Sequence, residues 1–197
     1  ENLGYTVGFI IVIIGRFQLF TENTITVILP LLDKTTPNRF QLTARIWGIV
    51  MFFNFLGTFI VALMTTYLPI FTPEQVTAFL DISDHAINKE LHLIFFQAIP
   101  AGFLIAALVW IMPSIEGSKF WIIMLITYVI AIGDFAPVIA GSGEAFLLMI
   151  NGQTTIAHGL GYLVAAALGN ILGGTGLFAF MAYAQVKVEI EEESEIK

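Results

Sequence analysis

The stretch GRFQLFTENTITVILPLL, residues 15–32, lies in the first hydrophobic run of the chain and carries Arg16, Gln18, Glu22 and Asn23 in its first nine positions. Lipid tails offer no hydrogen bonds, so polar groups within a span must be buried in protein or face a wet cavity. The run around this stretch, about 3–32, and a second run, about 120–150, are each too long for one straight crossing, which takes roughly 20 residues. Small or polar residues interrupt both. A helix broken within the membrane accounts for the length and the interruption together.

The whole composition points to lipid. Of 197 residues, 57% are hydrophobic and 12% charged, and mean hydropathy is +0.88. A soluble domain carries about twice that charged fraction. The chain has no cysteine, so disulfides and thiolate metal sites are excluded. Five of its acids lie in the terminal KVEIEEESEIK, read as a solvated, mobile tail. The chain opens on Glu1, almost within a hydrophobic segment, and is read as a fragment or processed form.

Five spans are expected, at about 3–32, 46–68, 91–112, 120–150 and 155–184, forming a transmembrane domain over 1–186 with an acidic tail at 187–197. Lys34, Arg39 and Arg45 in loop 33–45, Lys119 near the next loop, and Lys187 and Lys197 in the tail place these segments in the cytoplasm by the positive-inside rule. Loop 69–90 has Lys89 against four acids and falls outside. Within it, FTPEQVTAFLDISDHAI has a Thr-Pro-Glu start and apolar residues at helical spacing, which predicts a short amphipathic helix.

Asn54–Gly57, NFLG, recurs as NILG at Asn170–Gly173, an offset of 116 that also carries LFTEN (19–23) onto FAPVI (135–139). Spans one and four run in opposite directions, so the repeat is inverted, as in many transporters. Completing the first half requires a helix upstream of residue 1 to partner span 91–112. Half-helices are expected at about 24–32 and 143–150, with their amide N–H groups and positive dipole ends turned to the membrane centre, where they attract small anions. The alternative is a pair of kinked helices with local caps and no pore.

GRFQLFTENT, VIAGSGEAFL and LGNILGG together resemble the formate/nitrite transporter family, and more closely its inner-membrane branch. The resemblance runs over nearly the whole chain, in order and spacing. It implies an all-α, aquaporin-like protomer of six helices with an inverted repeat, of which this chain begins at the second. It also implies a homopentamer in the bacterial inner membrane, one pore per protomer, and passage of small monovalent anions such as formate, nitrite, hydrosulfide or lactate. Leu19, Phe20 and Thr21 match the family's first loop at the inner constriction, with Asn23 following. Asn170 matches the asparagine bracing the second loop, which continues through Ala140, Gly141 and Ser142, and Phe9 falls near the outer constriction. The family's central histidine aligns with Pro137, which has no titratable group, so a mechanism built on that histidine does not carry over. Gln18 also replaces a carboxylate common in relatives.

Several residues remain open between two roles. Arg16, near mid-membrane, is either an electropositive lure or half of an ion pair with Glu22 or Glu144. Asp134 is either a substitute proton-handling group or a cap. Glu144, read as the start of the second half-helix, suits the dipole there but would repel anions if ionised and facing the pore. Ser142 is read as a helix cap, and Asn54 and Asn170 as braces for broken backbone or as substrate contacts. His85, His92 and His158 lack metal-ligand spacing, and no cofactor is expected. Ala165, Gly169 and Gly173 form a small-residue stripe for close helix packing. The first functional reading is a channel or transporter for small monovalent anions or their conjugate acids. The alternatives are a neutral-solute pore and a nontransporting scaffold on the same fold; Asp134 with Glu144 is too thin a pair for an enzyme.

Overall fold

The computed structural model describes residues 2–33, 35–115 and 117–195, with backbone alone for 2, 3 and 188–195; Lys34 and Lys197, used above to orient the chain, lie outside the described residues. Among the described residues the fold is all helix, without strands. The ten α-helices are α1 (Asn2–Ile14), α2 (Phe20–Thr26), α3 (Ile28–Asp33), α4 (Pro37–Tyr67), α5 (Pro73–Ile87), α6 (Leu91–Ile111), α7 (Lys119–Ile132), α8 (Val138–Ile150), α9 (Ile156–Ile171) and α10 (Phe180–Glu195).

Among the described residues three helical stretches are long and apolar enough to cross a membrane, Pro37–Tyr67, Leu91–Ser114 and Ile156–Lys187, and shorter apolar helices occupy Gly4–Ile14, Lys119–Ile132 and Val138–Ile150. Local chemistry sets where they start. Thr36 caps α4 by accepting from the Arg39 amide at 3.3 Å, with Pro37 in the first turn where its missing N–H costs nothing. Thr155 caps α9 through the His158 amide at 3.1 Å. The short helix expected in 72–87 is α5, opened by a capping box: the Gln75 amide donates to Thr72 Oγ1 at 3.3 Å and the Thr72 amide to Gln75 Oε1 at 3.0 Å.

α6 is the centre of the packing. It lies most closely on α9, and its buried face is made of Ala98, Ala101, Gly102, Ile105 and Ala106. A Cβ on Gly102 would run into the Asn170 backbone, one on Gly169 into Ala98 and Phe95, and one on Gly173 into the Ile99 carbonyl. The small-residue stripe therefore serves packing within the chain. After Ile171 the helix widens into a π-helical segment, Leu172–Ala179, whose Gly174 and Thr175 press on Thr24 of α2, and then continues as α10. The helix carries on through Glu195, so the terminal segment read as a mobile tail is helical there.

The two long runs are broken, and both breaks have the same geometry. At the end of α1 the Arg16 amide donates to Ile13 O (3.3 Å) and the Phe17 amide to Val12 O (2.9 Å); at the end of α7 Asp134 donates to Ala131 O (3.3 Å) and Phe135 to Ile130 O (3.2 Å). These are Schellman turns, and the residue in the left-handed position is Arg16 (φ 55°) in one and Asp134 (φ 53°) in the other. Such a turn ends each helix abruptly, and the following helices start earlier than expected: at Phe20 rather than 24, and at Val138 rather than 143. Leu19 and Pro137, both extended, are their N-caps, and neither supplies a side-chain cap bond. Glu144 thus lies nearly two turns inside α8 instead of at its start, and Ser142 is not a cap.

Candidate permeation site

Two asparagines tie the breaks to the long helices. Asn54 Oδ1 accepts the Phe20 amide at 2.9 Å and its Nδ2 donates to Gln18 O at 3.1 Å. Asn170 Oδ1 accepts the Val138 amide at 2.9 Å and its Nδ2 donates to Ala136 O at 3.1 Å. Each side chain closes the gap between the carbonyl before a break and the first amide of the half-helix after it. The equivalences are Gln18 with Ala136 and Phe20 with Val138, an offset of 118, while the asparagines themselves differ by 116. The offset expected throughout, 116, is therefore two residues out of register at the breaks. Thr21 stands opposite Ile139, not Pro137.

The correspondence is incomplete in one place. Asn170 Nδ2 also donates to Ala98 O at 2.8 Å, and the Ala136 amide to Gln97 O at 3.2 Å, both on α6. Among the described residues no helix offers Asn54 and the Gln18 amide the equivalent carbonyls. That side of Asn54 instead faces a cavity of about 600 Å³, lined by Gln18 and Leu19 of the first break, Gly57 and Thr58 of α4, Ser83 of α5, and Ile139, Ala140 and Glu144 of α8.

The other expected site residues divide between scaffold and cavity. Phe20 is wholly buried with its ring edge-on to Trp47, centroids 5.8 Å apart, and Phe9 and Leu19 are each 8% exposed. Asn23 is structural: its Oδ1 accepts from Thr26 Oγ1 at 2.9 Å, its Nδ2 donates to Gln18 Oε1 at 3.3 Å, and its carbonyl takes the Trp47 indole N–H at 2.9 Å. Ser142, fully buried, donates to Ile139 O at 2.6 Å and lies 2.8 Å from the Thr58 hydroxyl, so it joins α8 to α4 and has no hydroxyl left over for a solute. Gly141 lets the Tyr162 hydroxyl lie against the α8 backbone, where a Cβ would clash. Thr21 differs from these: its Oγ1 is buried and has no hydrogen-bond partner among the described residues, a condition shared by Tyr5 Oη.

The charged residues also separate. Arg16 is exposed and makes no ion pair among the described residues; neither Glu22 nor Glu144 reaches it, because the Schellman turn carries its side chain outward. Asp134 is held by Lys89, whose Nζ also donates to Gln97 Oε1 at 3.3 Å, while Gln97 Nε2 lies 3.4 Å from the same Asp134 oxygen. Asp134 is thus an anchored residue of the turn, not a free proton carrier beside Pro137. Glu22 and Glu144 are half-buried. Among the described residues no His, Asp or Glu cluster could hold a metal ion. His158 Nε2 lies 3.0 Å from Ile87 O, an ordinary loop tie. Sequence reading missed Thr58, Gln97, Tyr5 and Tyr162. Lys89 had a signal, as the one basic residue in an acidic loop.

Residues 1–184 match the family described as formate/nitrite transporter. The inner membrane protein YfdC of Escherichia coli (strain K12) is 42% identical over 197 residues, covering 98% of this chain and 63% of that protein. A Bacillus subtilis (strain 168) protein described as an uncharacterized transporter, YrhG, is 25% identical over 187 residues, covering 91% of this chain and 69% of that protein. The chain therefore spans under two thirds of the first relative's length.

Proposed function

This chain belongs to the formate/nitrite transporter family, and from that premise we propose that it forms a pore through the bacterial inner membrane for small monovalent anions or their conjugate acids. The observation that carries the reading is the pair of asparagine braces. Asn54 and Asn170 each hold a broken helix open by the same two bonds. Interrupted backbone at membrane depth is stable only beside protein or a polar cavity. Past Val138, the Ile139 and Ala140 amides have no acceptor within α8, and both residues line the cavity. Amides so placed favour an anion without confronting it with a full charge. In this reading the Thr21 hydroxyl, buried outside the cavity lining and without a hydrogen-bond partner among the described residues, is a further donor that the complete pore turns to the solute.

In this reading the two halves are an inverted repeat, and a helix upstream of residue 1 occupies the place that α6 occupies in the second half. The matched turns at Arg16 and Asp134 support the repeat. The unmet bonding capacity of Asn54 and the Gln18 amide, beside the open cavity, supports the helix. A Cβ on Gly57 would meet nothing within 4 Å, whereas its counterpart Gly173 is jammed against α6. The upstream helix would wall the cavity into a pore. The protein assembles as a homopentamer, as the family resemblance implies, with loops 33–45 and 113–119 and the C-terminal segment in the cytoplasm. The exposed apolar residues of α4, among them Phe52, Phe53 and Val61, give lipid and neighbouring subunits a surface to cover.

The test is flux into liposomes containing the full-length protein, with formate, nitrite and a small neutral solute, and with Thr21→Ala and Arg16→Ala as comparisons. Formate or nitrite entry that falls in Thr21→Ala is the expected result. Passage of the neutral solute alone makes the protein a neutral-solute pore, the reading Pro137 favours by removing a titratable side chain from the second break. Passage of nothing makes it a scaffold.

A further inference from the structure

Leu172–Ala179, LGGTGLFA, is wound as a π-helix over 8 residues, and among the described residues no other segment is. At its end the Phe180 amide reaches back to the carbonyl of Thr175, five residues earlier. π-Helical turns are rare, are mostly single, and gather at functional sites. The sequence repeat supplies a comparison. The same Asn-x-Leu-Gly motif leads into residues 56–63, LGTFIVAL, which stay α-helical within α4. The first half has Thr58 and Ile60 where the second has Gly174 and Gly176. Glycine weakens the α form because it gives up the most backbone freedom there. The segment also lies between two neighbours. A Cβ on Gly173 would run into the Ile99 carbonyl of α6, and one on Gly174 into Thr24 of α2. Thr175 Oγ1 donates to Thr24 O, and Thr24 Oγ1 donates to Thr21 O at 2.7 Å. A line of hydroxyl bonds thus runs from the π segment to the first turn of α2, beside the first break. Further along, Ala179 is buried with Ile25 and Ile28, and Phe178 packs against them.

Resting on the pore reading above for what the first break does, we infer that Leu172–Ala179 is a two-state coupling segment: π-wound it holds α2, α-wound it releases α2, and the rotation of α10 thereby sets the opening of the first break. Closing one wide turn to α geometry rotates everything beyond it by on the order of 100°. α10 follows directly from Phe180, so it turns as a body, and Thr175 swings away from the Thr24 carbonyl. Either winding keeps its backbone groups bonded within the helix. The balance is therefore set by weaker terms. The Thr24 bond and the packing of Phe178 favour the π form, and the preference of Leu, Phe and Ala for regular helix favours the α form. With α2 held, Leu19 and Phe20 stay packed, 8% and 0% exposed, and the break is shut. With α2 released, Leu19, which lines the cavity, is free to move aside. A partner that binds α10 more tightly in one rotation than in the other biases the break by that difference in affinity.

The experiment uses the full-length protein with spin labels at Val164→Cys on α9 and Met181→Cys on α10, both exposed positions. This chain has no cysteine of its own, and any elsewhere in the full-length protein is first replaced. Dilution with unlabelled protein confines the reading to distances within one chain. Two distances are expected in wild type. Thr175→Val removes the hydroxyl at nearly constant shape. Gly174→Ala combined with Gly176→Ala favours α winding and crowds Thr24. Each is expected to raise the population of the second distance about threefold. In the same variants the α2 amides should exchange with deuterium about tenfold faster, with those of α8 unchanged, and formate should enter liposomes about twofold faster. One distance in wild type overturns the inference, whether or not the variants purify; so does an unchanged balance of distances in both variants. Shifted distances without faster exchange in α2 overturn the coupling, and formate entry that is present but unchanged in the variants overturns control of the break. Distances and exchange that shift as expected while no form passes formate support the coupling and remove the pore reading.

Discussion

Asn170 and Val138 are joined by a 2.9 Å bond from the Val138 amide to the buried side-chain Oδ1, and the same carboxamide donates to the carbonyls of Ala136 and Ala98. One side chain thereby completes a helix start, a helix break and a helix–helix contact. Truncation to alanine would strand three buried backbone groups, each worth about 1–3 kcal/mol of desolvation. Asn170→Ala is expected to lower thermal stability in detergent by about 3 kcal/mol or more. Asn54→Ala, with two bonds at a partly exposed position, should cost about half as much. Equal costs in the full-length protein would mean that a further helix gives Asn54 the third carbonyl that Ala98 gives Asn170.

Gly141 lies against the Tyr162 hydroxyl so closely that a Cβ has no room. Overpacking of this kind typically costs about 1–3 kcal/mol. Gly141→Ala is expected to show that loss in thermal unfolding, and Tyr162→Phe in the same chain should restore part of it by removing the oxygen the Cβ meets. A double-mutant cycle without coupling would place the strain elsewhere.

Arg16 occupies a left-handed position without being glycine. Glycine there relieves strain of about 1 kcal/mol, while alanine keeps it. Arg16→Gly is therefore expected to raise stability by about 1 kcal/mol relative to Arg16→Ala. Since both lack the charge, any difference between them in anion flux reports the turn, and any shared change reports the guanidinium.

How much of this was readable beforehand follows from the reach of each force. The α5 helix and the existence of two breaks are legible because hydropathy and helix-start residues act locally, as Thr72 and Gln75 do. The position of the half-helix starts was not. It depends on Schellman turns at Arg16 and Asp134, where sequence preference would have asked for glycine. The role of Ser142 was misread for a related reason: once α8 starts at Val138, that hydroxyl lies within its second turn and bonds Ile139. The ion pair offered as one role of Arg16 does not form among the described residues, and the partner of Asp134 was not foreseen, because charge pairing across loops depends on the fold. Lys89 and Asp134 meet across 45 residues of chain, and no local pattern encodes that.

Lys89 is 17% exposed in its side chain and spans from the α5–α6 connection to Asp134 and Gln97. Part-exposed pairs contribute about 0.2–1 kcal/mol, so Lys89→Ala should leave global stability nearly unchanged. Its effect should be local. Amides of residues 133–136 are expected to exchange with deuterium about two- to fivefold faster, with those at the Arg16 turn unchanged. Equal acceleration at both breaks would show that the pair supports the whole bundle and not one turn.

Gly57 tests whether a further helix covers the first half as α6 covers the second. Its counterpart Gly173 cannot accept a Cβ because the Ile99 carbonyl of α6 occupies the space, whereas nothing lies within 4 Å of the position a Cβ on Gly57 would take. If an upstream helix packs over Gly57 as α6 packs over Gly173, the full-length protein should treat the two positions alike. Gly57→Ala and Gly173→Ala should then each cost about 1–3 kcal/mol through overpacking. If that space stays open, Gly57→Ala should be neutral or stabilise by up to about 1 kcal/mol, since alanine is the better helix former. Thermal unfolding of the two full-length variants in detergent distinguishes these outcomes. The size of the Gly57 effect also bears on the cavity: a large cost means that the 600 Å³ space is walled on its open side, which a selective pore requires.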